Sequence, residues 1–314
     1  MYLSVVVPVY NEYENIPLLY DAVYKALENL NKDWELILVN DGSKDNSLDA
    51  LKEVAAKDTL HVKVIGLRRN FGQTAAIAAG VDHASGEIIV LMDADLQNDP
   101  TDIPVLLAKL DEGYDLVSGW RKNRKDPFLR SFISRIANRI ICKVTSVNLH
   151  DYGCTLKAYR REVITGFRLY GEMHRFIPAF ANTFGARIVE IPVKHHPRVL
   201  GKSKYGFERI IKVILDLITV KFLSSYADKP IYLFGGAGLG LSGISFLVLL
   251  LLAIRRIFWG VSVMASPLFI MAIMVFILGF LSILMGLIAE LLVRTYHESQ
   301  GKTVYHIREM INFS

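Results

Sequence analysis

The sequence predicts an α/β domain with a mostly parallel sheet, followed by interfacial helices and two transmembrane helices. Up to about residue 200, β-rich runs alternate with helical patterns, and this alternation is typical of a parallel sheet. Further on, two apolar runs contain no charged residue and are each longer than the roughly 20 residues that cross a bilayer. We therefore expect four parts: an α/β domain at 1–204, amphipathic juxtamembrane helices at 205–229, two transmembrane helices within 230–293, and a tail at 294–314.

Composition supports a membrane part and excludes several other classes. Hydrophobic residues make up 52% of the 314 residues, and the mean hydropathy of +0.31 is high for a soluble protein. The net charge of +5 is only mildly basic, so we expect no nucleic-acid partner. Cys142 and Cys154 lack a CxxC spacing, which argues against a disulfide scaffold or a thiolate zinc site. No signal-peptide pattern is visible, so we expect the α/β domain to stay in the cytosol.

The order of the elements indicates where a ligand would bind. Predicted strands lie at 2–9, 34–39, 61–67 and 88–92, and predicted helices lie between them at 16–30, 47–56 and 74–84. In open α/β sheets, ligands bind at the carboxyl ends of the strands. Residues that directly follow the strands are therefore the first candidates for a functional site.

Acidic residues follow three of the four predicted strands: Glu12, Asp41, and the pair Asp93 and Asp95. Carboxylates gathered at one sheet edge repel one another unless a cation lies between them, and oxygen ligands suit Mg²⁺ or Mn²⁺. In D-x-D the two side chains share one side of an extended chain. A solvated loop with capping side chains is the alternative for this short motif alone. The acids at the other strand ends favour a metal beside a nucleotide diphosphate.

Four motifs, VPVYNE, VNDGSKDNS, RRNFGQTAAIAAG and LMDADLQNDP, resemble those of glycosyltransferase family 2 in order and spacing. The resemblance is strongest to its polyprenyl-phosphate hexosyltransferases, the branch with dolichol-phosphate mannose synthase and the bactoprenol glucosyltransferases. It covers residues 1–228 and implies a nucleotide-sugar-binding fold of the GT-A type. It also implies inverting transfer of a hexose or related sugar from a nucleotide diphosphate sugar, with UDP favoured, to a polyprenyl phosphate such as undecaprenyl phosphate.

The resemblance also implies roles for individual residues. The nucleobase and ribose would contact residues after the first two strands, and the metal, Mg²⁺ or Mn²⁺, would lie at the D-x-D motif. The implied nucleotide-binding residues are Pro8, Tyr10, Glu12, Asp41 and Asp93, and the implied metal ligands are Asp93, Asp95 and Gln97.

The acceptor side is predicted from basic residues nearer the membrane. Residues 121–143 hold eight basic side chains and one acid, and a polar stripe recurs every four residues beside an apolar face. Such a basic amphipathic helix fits a membrane surface, although packing on its own domain is the alternative. The R-x-x-G-x-S-K loop of the family is matched at 198–204, where cations surround a glycine and a hydroxyl. We expect the acceptor phosphate to contact Arg121, Arg198, Ser203 and Lys204.

The segment DYGCTLKAYRRE resembles the acceptor-side segment of the family, in which an acid precedes a basic residue by six positions. Here these are Asp151 and Lys157. Asp151 would orient the sugar or act as a base, or else be a loop acid or a helix cap. Lys157 is a point charge where relatives carry arginine, so its role stays open. The candidate catalytic residues are Asp95, Asp151, Lys157 and Arg198.

Two other functions have to be weighed against this one. A processive polysaccharide synthase would carry a Q-x-x-R-W motif, which none of the three tryptophans has. A non-catalytic, membrane-tethered subunit that binds a nucleotide sugar is the second alternative. More Lys and Arg residues flank the spans outside the short connecting loop than within it, which favours an inner or plasma membrane protein with a cytoplasmic catalytic domain. Glycines in the first span would permit a homo-oligomer.

Overall fold

The structure is a computed structural model, and it describes most of the chain. The described residues are 1–122, 141–142, 145, 147–166, 169, 173–197, 231–260, 262–263, 266–299 and 304–313. They fall into two compact units, one comprising Met1–Val220 with Thr303–Ser314 and the other Lys221–Lys302. The basic helix predicted at 121–143, apart from its ends, and the interfacial helices predicted at 205–229 lie outside the described residues.

An eight-stranded sheet forms the centre of the first unit. Its strands run in the order β7-β5-β6-β4-β1-β2-β3-β8, and β3, β2, β1 and β4 are mutually parallel. The predicted first four strands are therefore confirmed. The strands are β1 Leu3–Val9, β2 Trp34–Asn40, β3 Val62–Leu67, β4 Ile88–Leu91, β5 Leu116–Trp120, β6 Lys157–Arg160, β7 Ile188–Pro192 and β8 Ile307–Ile311.

Helices cover the sheet and bury its central strands on both faces, which explains why most residues of β1 and β2 are apolar. The first helix buries Ile16, Leu19, Val23 and Leu27, a spacing that keeps these side chains on one face. The three predicted helices are confirmed within a few residues. The α-helices that lie fully within the described residues of this unit are α1 Ile16–Leu27, α2 Ser47–Lys57, α3 Gln73–Asp82, α4 Ile103–Asp111, α5 Arg161–Thr165 and α6 Ile177–Thr183.

The far half of the sheet brings the acceptor-side segment next to the acidic strand end. Strand β6 lies antiparallel between β4 and β5, with Lys157 opposite Leu91 and Ser118. The chain just before β6 therefore lies beside the residues that follow β4. Residues 151–157 and the D-x-D motif consequently share one edge of the sheet.

The last strand corrects the expected tail at 294–314. Residues Ile307–Ile311 pair antiparallel with β3, with Ile311 opposite Val64. Ile307, Glu309 and Ile311 are half-buried, while Arg308 and Met310 are exposed, which is the period-two pattern of an edge strand. A run of five residues with two charges is too short and too polar to stand out in the sequence.

The second unit is a pair of long apolar helices, α7 Ile231–Trp259 and α8 Pro267–Ser299. Both are long and apolar enough to cross a membrane, with mean hydropathies of 2.4 and 2.9 over their candidate spans. The two predicted helices are confirmed, and α8 extends beyond residue 293, where the predicted pair ends. Ser245 Oγ donates to Ala272 O at 2.5 Å and Ser282 Oγ to Phe234 O at 2.9 Å, so the hydroxyls join one helix to the other.

Candidate active site

Asp41 fixes the loop that leads from β3 to α3. Its carboxylate is buried and accepts hydrogen bonds from the backbone N–H groups of Phe71, at 2.7 Å, and Gly72, at 3.0 Å. Burial raises the pKa of Asp41, and the two backbone donors oppose that rise. Asp41, which the resemblance implies to be a nucleotide-binding residue, therefore also holds residues 68–73 against the end of β2. We call these residues the donor loop.

Asp93 is the most strongly perturbed acid of the site. Its two oxygens accept hydrogen bonds from Gln73 Nε2, at 2.8 Å, and Thr155 Oγ1, at 2.5 Å. Burial and the neighbouring charge of Asp95 raise the pKa of Asp93 to about 6, although Thr155, Arg121 and Lys157 act in the opposite direction. Asp93 and Asp95 therefore repel each other at this edge of the sheet.

Asp95 begins a tight turn that is tied to a later segment. Its Oδ1 accepts a hydrogen bond from Gln97 N at 3.2 Å, and Gln97 O accepts one from His196 N at 2.9 Å. Asp99 then contacts the His196 ring at 3.1 Å. Burial would raise the pKa of Asp99, but hydrogen bonds from Thr101 and His196 lower it to about 2. The turn after β4 is therefore rigidly joined to residues 194–197.

Asp151 and Arg121 form a bidentate ion pair. Arg121 Nε donates to Asp151 Oδ2 at 2.6 Å, and Nη2 donates to Oδ1 at 2.9 Å. This pair is largely buried and raises the pKa of Arg121 further above its already high value. Glu190 in turn accepts the backbone N–H groups of His150 and Asp151, each at 2.9 Å. The carboxylate of Asp151 is thereby committed to orienting Arg121.

Lys157 lies buried beside this pair. Its Nζ donates to the backbone oxygens of Tyr152, at 3.3 Å, and Cys154. Burial lowers the pKa of Lys157, while the charges of Asp151 and Asp93 oppose that effect. The Lys157 amine closes the turn at 152–154 and brings a positive charge close to Asp93.

The residues after β1 form a separate hydrogen-bonded group. Glu12 Oε2 accepts from Asn15 Nδ2 at 2.6 Å, and Glu12 N donates to Ser47 Oγ at 2.9 Å. Pro8 is half-buried within β1, and Tyr10, also half-buried, directly follows that strand. These residues lie at the carboxyl end of β1, next to the end of β2 that carries Asp41.

The structure thus brings Asp93, Asp95, Arg121, Asp151 and Lys157 together at one edge, where their charges act on one another. Arg198, Ser203 and Lys204 lie outside the described residues. Sequence reasoning missed three contributors to the site, Gln73, Thr155 and Glu190. Each is a polar residue whose partner is 20 or more positions away, so no local pattern marks it.

Among the described residues, no three His, Cys, Asp or Glu side chains converge as a metal site. The D-x-D motif supplies carboxylate oxygens from Asp93 and Asp95, and Gln97 follows two residues later. Mg²⁺ and similar cations often use only one or two carboxylates and take their remaining ligands from water and phosphate. This donor set therefore fits a metal whose coordination a bound diphosphate would complete.

Comparison with known proteins decides the family. Residues 4–167 match the family model described as glycosyl transferase family 2. The chain belongs to glycosyl transferase family 2. Two relatives cover nearly all of it. A dodecaprenyl-phosphate galacturonate synthase from Rhizobium johnstonii is 42% identical over 99% of this chain and 93% of its own length. An undecaprenyl-phosphate 4-deoxy-4-formamido-L-arabinose transferase from an Enterobacter species is 40% identical over 99% of this chain and 94% of its own.

Solved structures confirm the fold of this family 2 member. Glucosyl-3-phosphoglycerate synthase from Mycobacterium tuberculosis, in complex with Mn²⁺, UDP and phosphoglyceric acid, gives a TM-score of 0.54 at 20% identity. The match covers 71% of this chain and 78% of that one. A mannosyltransferase from Pyrobaculum calidifontis with GDP-mannose and Mn²⁺ gives 0.51 at 21% identity, covering 71% of this chain and 63% of that one. The predicted GT-A-type fold and the predicted resemblance to the polyprenyl-phosphate branch are both confirmed.

Proposed function

We propose that this protein transfers a hexose or related sugar from a UDP-sugar to a polyprenyl phosphate, with inversion at the anomeric carbon. The observation that carries the proposal is the charged cluster at the carboxyl ends of β4 and β5, where Asp93 and Asp95 lie beside the Arg121–Asp151 pair. A family 2 domain with this cluster precedes two helices that are apolar enough to span a membrane. The two full-length relatives are named for dodecaprenyl and undecaprenyl phosphates, which supports a lipid phosphate as acceptor.

The acidic edge suits the diphosphate end of the donor only if a cation is present. Asp95 and Gln97 would hold Mg²⁺ or Mn²⁺, and the bound ion would offset charge on the leaving diphosphate. Burial and repulsion by Asp95 raise the pKa of Asp93, and a cation would relieve the repulsion, which supports this proposal. The Mn²⁺ in two solved structures of the same fold is consistent with it. Pro8, Tyr10, Glu12 and Asp41 would line the nucleoside side.

The acceptor does not require a strong general base. A phosphate monoester is largely ionised at pH 7, because its second pKa is near 6. Its oxygen would attack the anomeric carbon directly from the side opposite the leaving diphosphate. Arg121, held in one orientation by Asp151, would place the phosphate, and positioning of this kind supplies a large part of the rate in group transfer. We therefore assign Asp151 to orienting Arg121.

The basic loop would complete the acceptor side. Arg198, Ser203 and Lys204 would contact the lipid phosphate close to the membrane surface. The lipid chain would stay in the bilayer, an inner or plasma membrane, and the catalytic domain would be cytoplasmic. Such an arrangement requires that only the phosphate head enters the site.

The test is turnover by the purified full-length protein. We would supply undecaprenyl or dodecaprenyl phosphate, Mg²⁺ or Mn²⁺, and a panel of UDP- and GDP-sugars that includes galacturonic acid and 4-deoxy-4-formamido-L-arabinose. We expect one donor to give a glycolipid with stoichiometric release of the nucleotide. Binding of donors without any glycolipid would instead favour the non-catalytic alternative, and an extended polymer would favour a processive synthase.

Replacing Asp95 tests the metal assignment. We expect Asp95→Asn to lower kcat by at least about 100-fold. A neutral amide binds a divalent cation more weakly than a carboxylate, so the negative charge on the leaving diphosphate would not be offset. The variant should keep the thermal unfolding midpoint of the wild type. Thr101→Ala serves as a control on the same loop, since Thr101 contacts Asp99 away from the D-x-D motif. Full activity of Asp95→Asn would overturn the assignment.

A further inference from the structure

The donor loop, residues 68–73, is held from three directions. Asp41 accepts its Phe71 and Gly72 N–H groups, and Gln73 donates to Asp93. These two contacts come from residues already placed in the site. The third comes from the end of the chain, where the backbone oxygen of His306 accepts the Arg68 N–H group at 2.9 Å.

The side chain of His306 extends this third contact. Its ring meets the Phe71 ring edge to face, with centroids 5.9 Å apart and planes at 63°. The Arg69 guanidinium lies over the Phe71 ring at 4.3 Å. Phe71 is thus fixed through its backbone by Asp41 and through its ring by His306, so the C-terminal segment determines where the middle of the loop lies.

The segment around His306 is itself firmly anchored to the first unit. Tyr305 is buried and its hydroxyl donates to Asp82 Oδ2 at 2.8 Å. Glu309 pairs with Lys52 at 2.8 Å, and Asn312 Nδ2 donates to the backbone oxygens of Ala55 and Val62 at 2.8 and 2.9 Å. Strand β8 pairs with β3 between these anchors. A segment held at several points can order a neighbouring loop that lacks a regular ladder of its own.

We propose that His306, which directly precedes β8, is a positioning residue for the donor loop, so that the chain beyond its apolar helices takes part in donor binding. The proposal rests on the proposed function, in which Asp41, the residue that holds this loop, lines the nucleoside side of the donor site. A loop that is ordered only part of the time binds with an affinity reduced by the fraction that is competent. Loss of the His306 ring therefore affects donor binding and leaves the chemical step unchanged.

The first measurement needs no substrate. Hydrogen exchange of the peptide that covers 68–73 would be compared in full-length wild-type protein, His306→Ala, His306→Phe and Glu309→Gln. We expect exchange to rise roughly fivefold in His306→Ala and to return to the wild-type rate in His306→Phe, which keeps an aromatic edge against Phe71. Glu309→Gln is the matched control, since it removes an anchor on the same strand away from the loop.

The second measurement uses the donor that the turnover panel identifies. We expect His306→Ala to raise KM for that donor about fivefold, with kcat and the acceptor KM unchanged, and His306→Phe to restore it. Unchanged exchange in His306→Ala, an equal rise in Glu309→Gln, or a fall in kcat alone would overturn the proposal. If wild-type protein binds a donor but forms no glycolipid, the proposed function fails, and the affinity for that donor replaces KM in the comparison of variants. The exchange data would then show separately whether His306 orders the loop.

Discussion

Individual carboxylates at the sheet edge have different tasks, which their partners determine. Asp41 and Asp151 each accept two or more hydrogen bonds from the protein, so they hold other groups in place. Asp93 bridges α3 and the segment before β6 through Gln73 and Thr155. Asp95 accepts a hydrogen bond from the backbone N–H of Gln97 in its own turn, at 3.2 Å. The roles separate by geometry, although all four are aspartates at strand ends or in neighbouring loops.

Arg121 provides the sharpest test of these assignments. In Arg121→Lys the ammonium cannot keep both parallel hydrogen bonds to Asp151, because lysine is a point charge and arginine a planar fork. We expect kcat/KM for the lipid acceptor to fall by at least about tenfold with little change in donor KM. Steady-state kinetics with both substrates varied would measure this.

Arg160→Lys is the matched control for that experiment, since Arg160 is more exposed and contacts Asp115 only at 3.8 Å. The control should retain wild-type kinetics. An equal loss in both variants would mean that Arg121 matters for folding alone.

Asp58 predicts how stability depends on pH away from the site. It accepts hydrogen bonds from His61 N, the His61 ring and Tyr20. Burial would raise the pKa of Asp58, but these contacts outweigh burial and hold the pKa below its ordinary value of 3.8. A depressed carboxyl pKa stabilises the folded state above the unfolded pKa, and that contribution is lost as the pH falls through the folded pKa.

We therefore expect Asp58→Asn to lower the free energy of unfolding by about 1 kcal/mol at pH 7. The difference from wild type should shrink below about pH 3.8, as Asp58 becomes protonated in the wild type. Thermal unfolding between pH 7 and pH 3 would measure it. Asp21→Asn, at an exposed position of α1, should show no such difference at any pH. A constant difference down to pH 3 would contradict the assignment.

The sequence was sufficient to find the acids but not their partners. Asp41, Asp93 and Asp95 follow strands that an apolar run makes visible. Thr155 lies 62 positions from Asp93, and Arg121 lies 30 positions from Asp151, so only the folded sheet brings them together. For the same reason Lys157 could not be placed from its spacing: its surroundings arise because β6 inserts between β4 and β5.

Secondary-structure elements divide in the same way between those visible in the sequence and those not. The parallel strands β1 to β4 and the helices between them are predictable, because both faces of each strand are buried and the sequence shows continuous apolar runs. Strands β5 to β7 are short and mixed in direction, and β8 follows the two apolar helices by only a few residues. These strands form by pairing with strands that are distant in the sequence, and no local periodicity predicts them.

The packing of α7 against α8 depends on glycine at particular positions. A Cβ added at Gly238 would lie 2.5 Å from Gly279 O and 2.6 Å from Ile283 Cγ1, whereas one added at Gly236 would meet no atom within 4 Å. We expect Gly238→Ala to destabilise the helix pair by about 1–3 kcal/mol, the usual cost of overpacking. Gly236→Ala should be neutral or slightly stabilising.

The two variants can be compared by titrating the purified protein with SDS in mixed micelles. Energy transfer between fluorophores at the far ends of α7 and α8 would report separation of the helices. Equal midpoints for Gly238→Ala and Gly236→Ala would show that the close approach at Gly238 and Gly279 does not stabilise the pair.

The molecule as a whole combines two units of opposite surface character. The first unit buries apolar side chains against its sheet. The second exposes most of its large apolar side chains along both helices, among them Leu247, Phe246, Ile277 and Leu281. Exposed apolar surface of this extent is unfavourable in water and favourable in lipid. A short connection joins α7 to α8. If both helices cross the membrane, the segment before α7 and the segment after α8 lie on the same face of it.

The charge distribution predicts which face that is. The candidate spans are flanked by five basic residues away from the short connection, Lys221, Lys229, Arg294, Lys302 and Arg308, against Arg255 and Arg256 near that connection. Lys and Arg are enriched on the cytoplasmic side, so we expect the catalytic unit to be cytoplasmic and the connection, which contains the exposed Ser262, to face outward. In intact spheroplasts, an impermeant maleimide should label Ser262→Cys. Leu60→Cys, in an exposed loop of the catalytic unit, should react only after permeabilisation. Both variants would carry Cys142→Ser, and Cys154 is buried. Labelling of Leu60→Cys alone in intact spheroplasts would reverse the orientation and separate the proposed site from a cytoplasmic nucleotide donor.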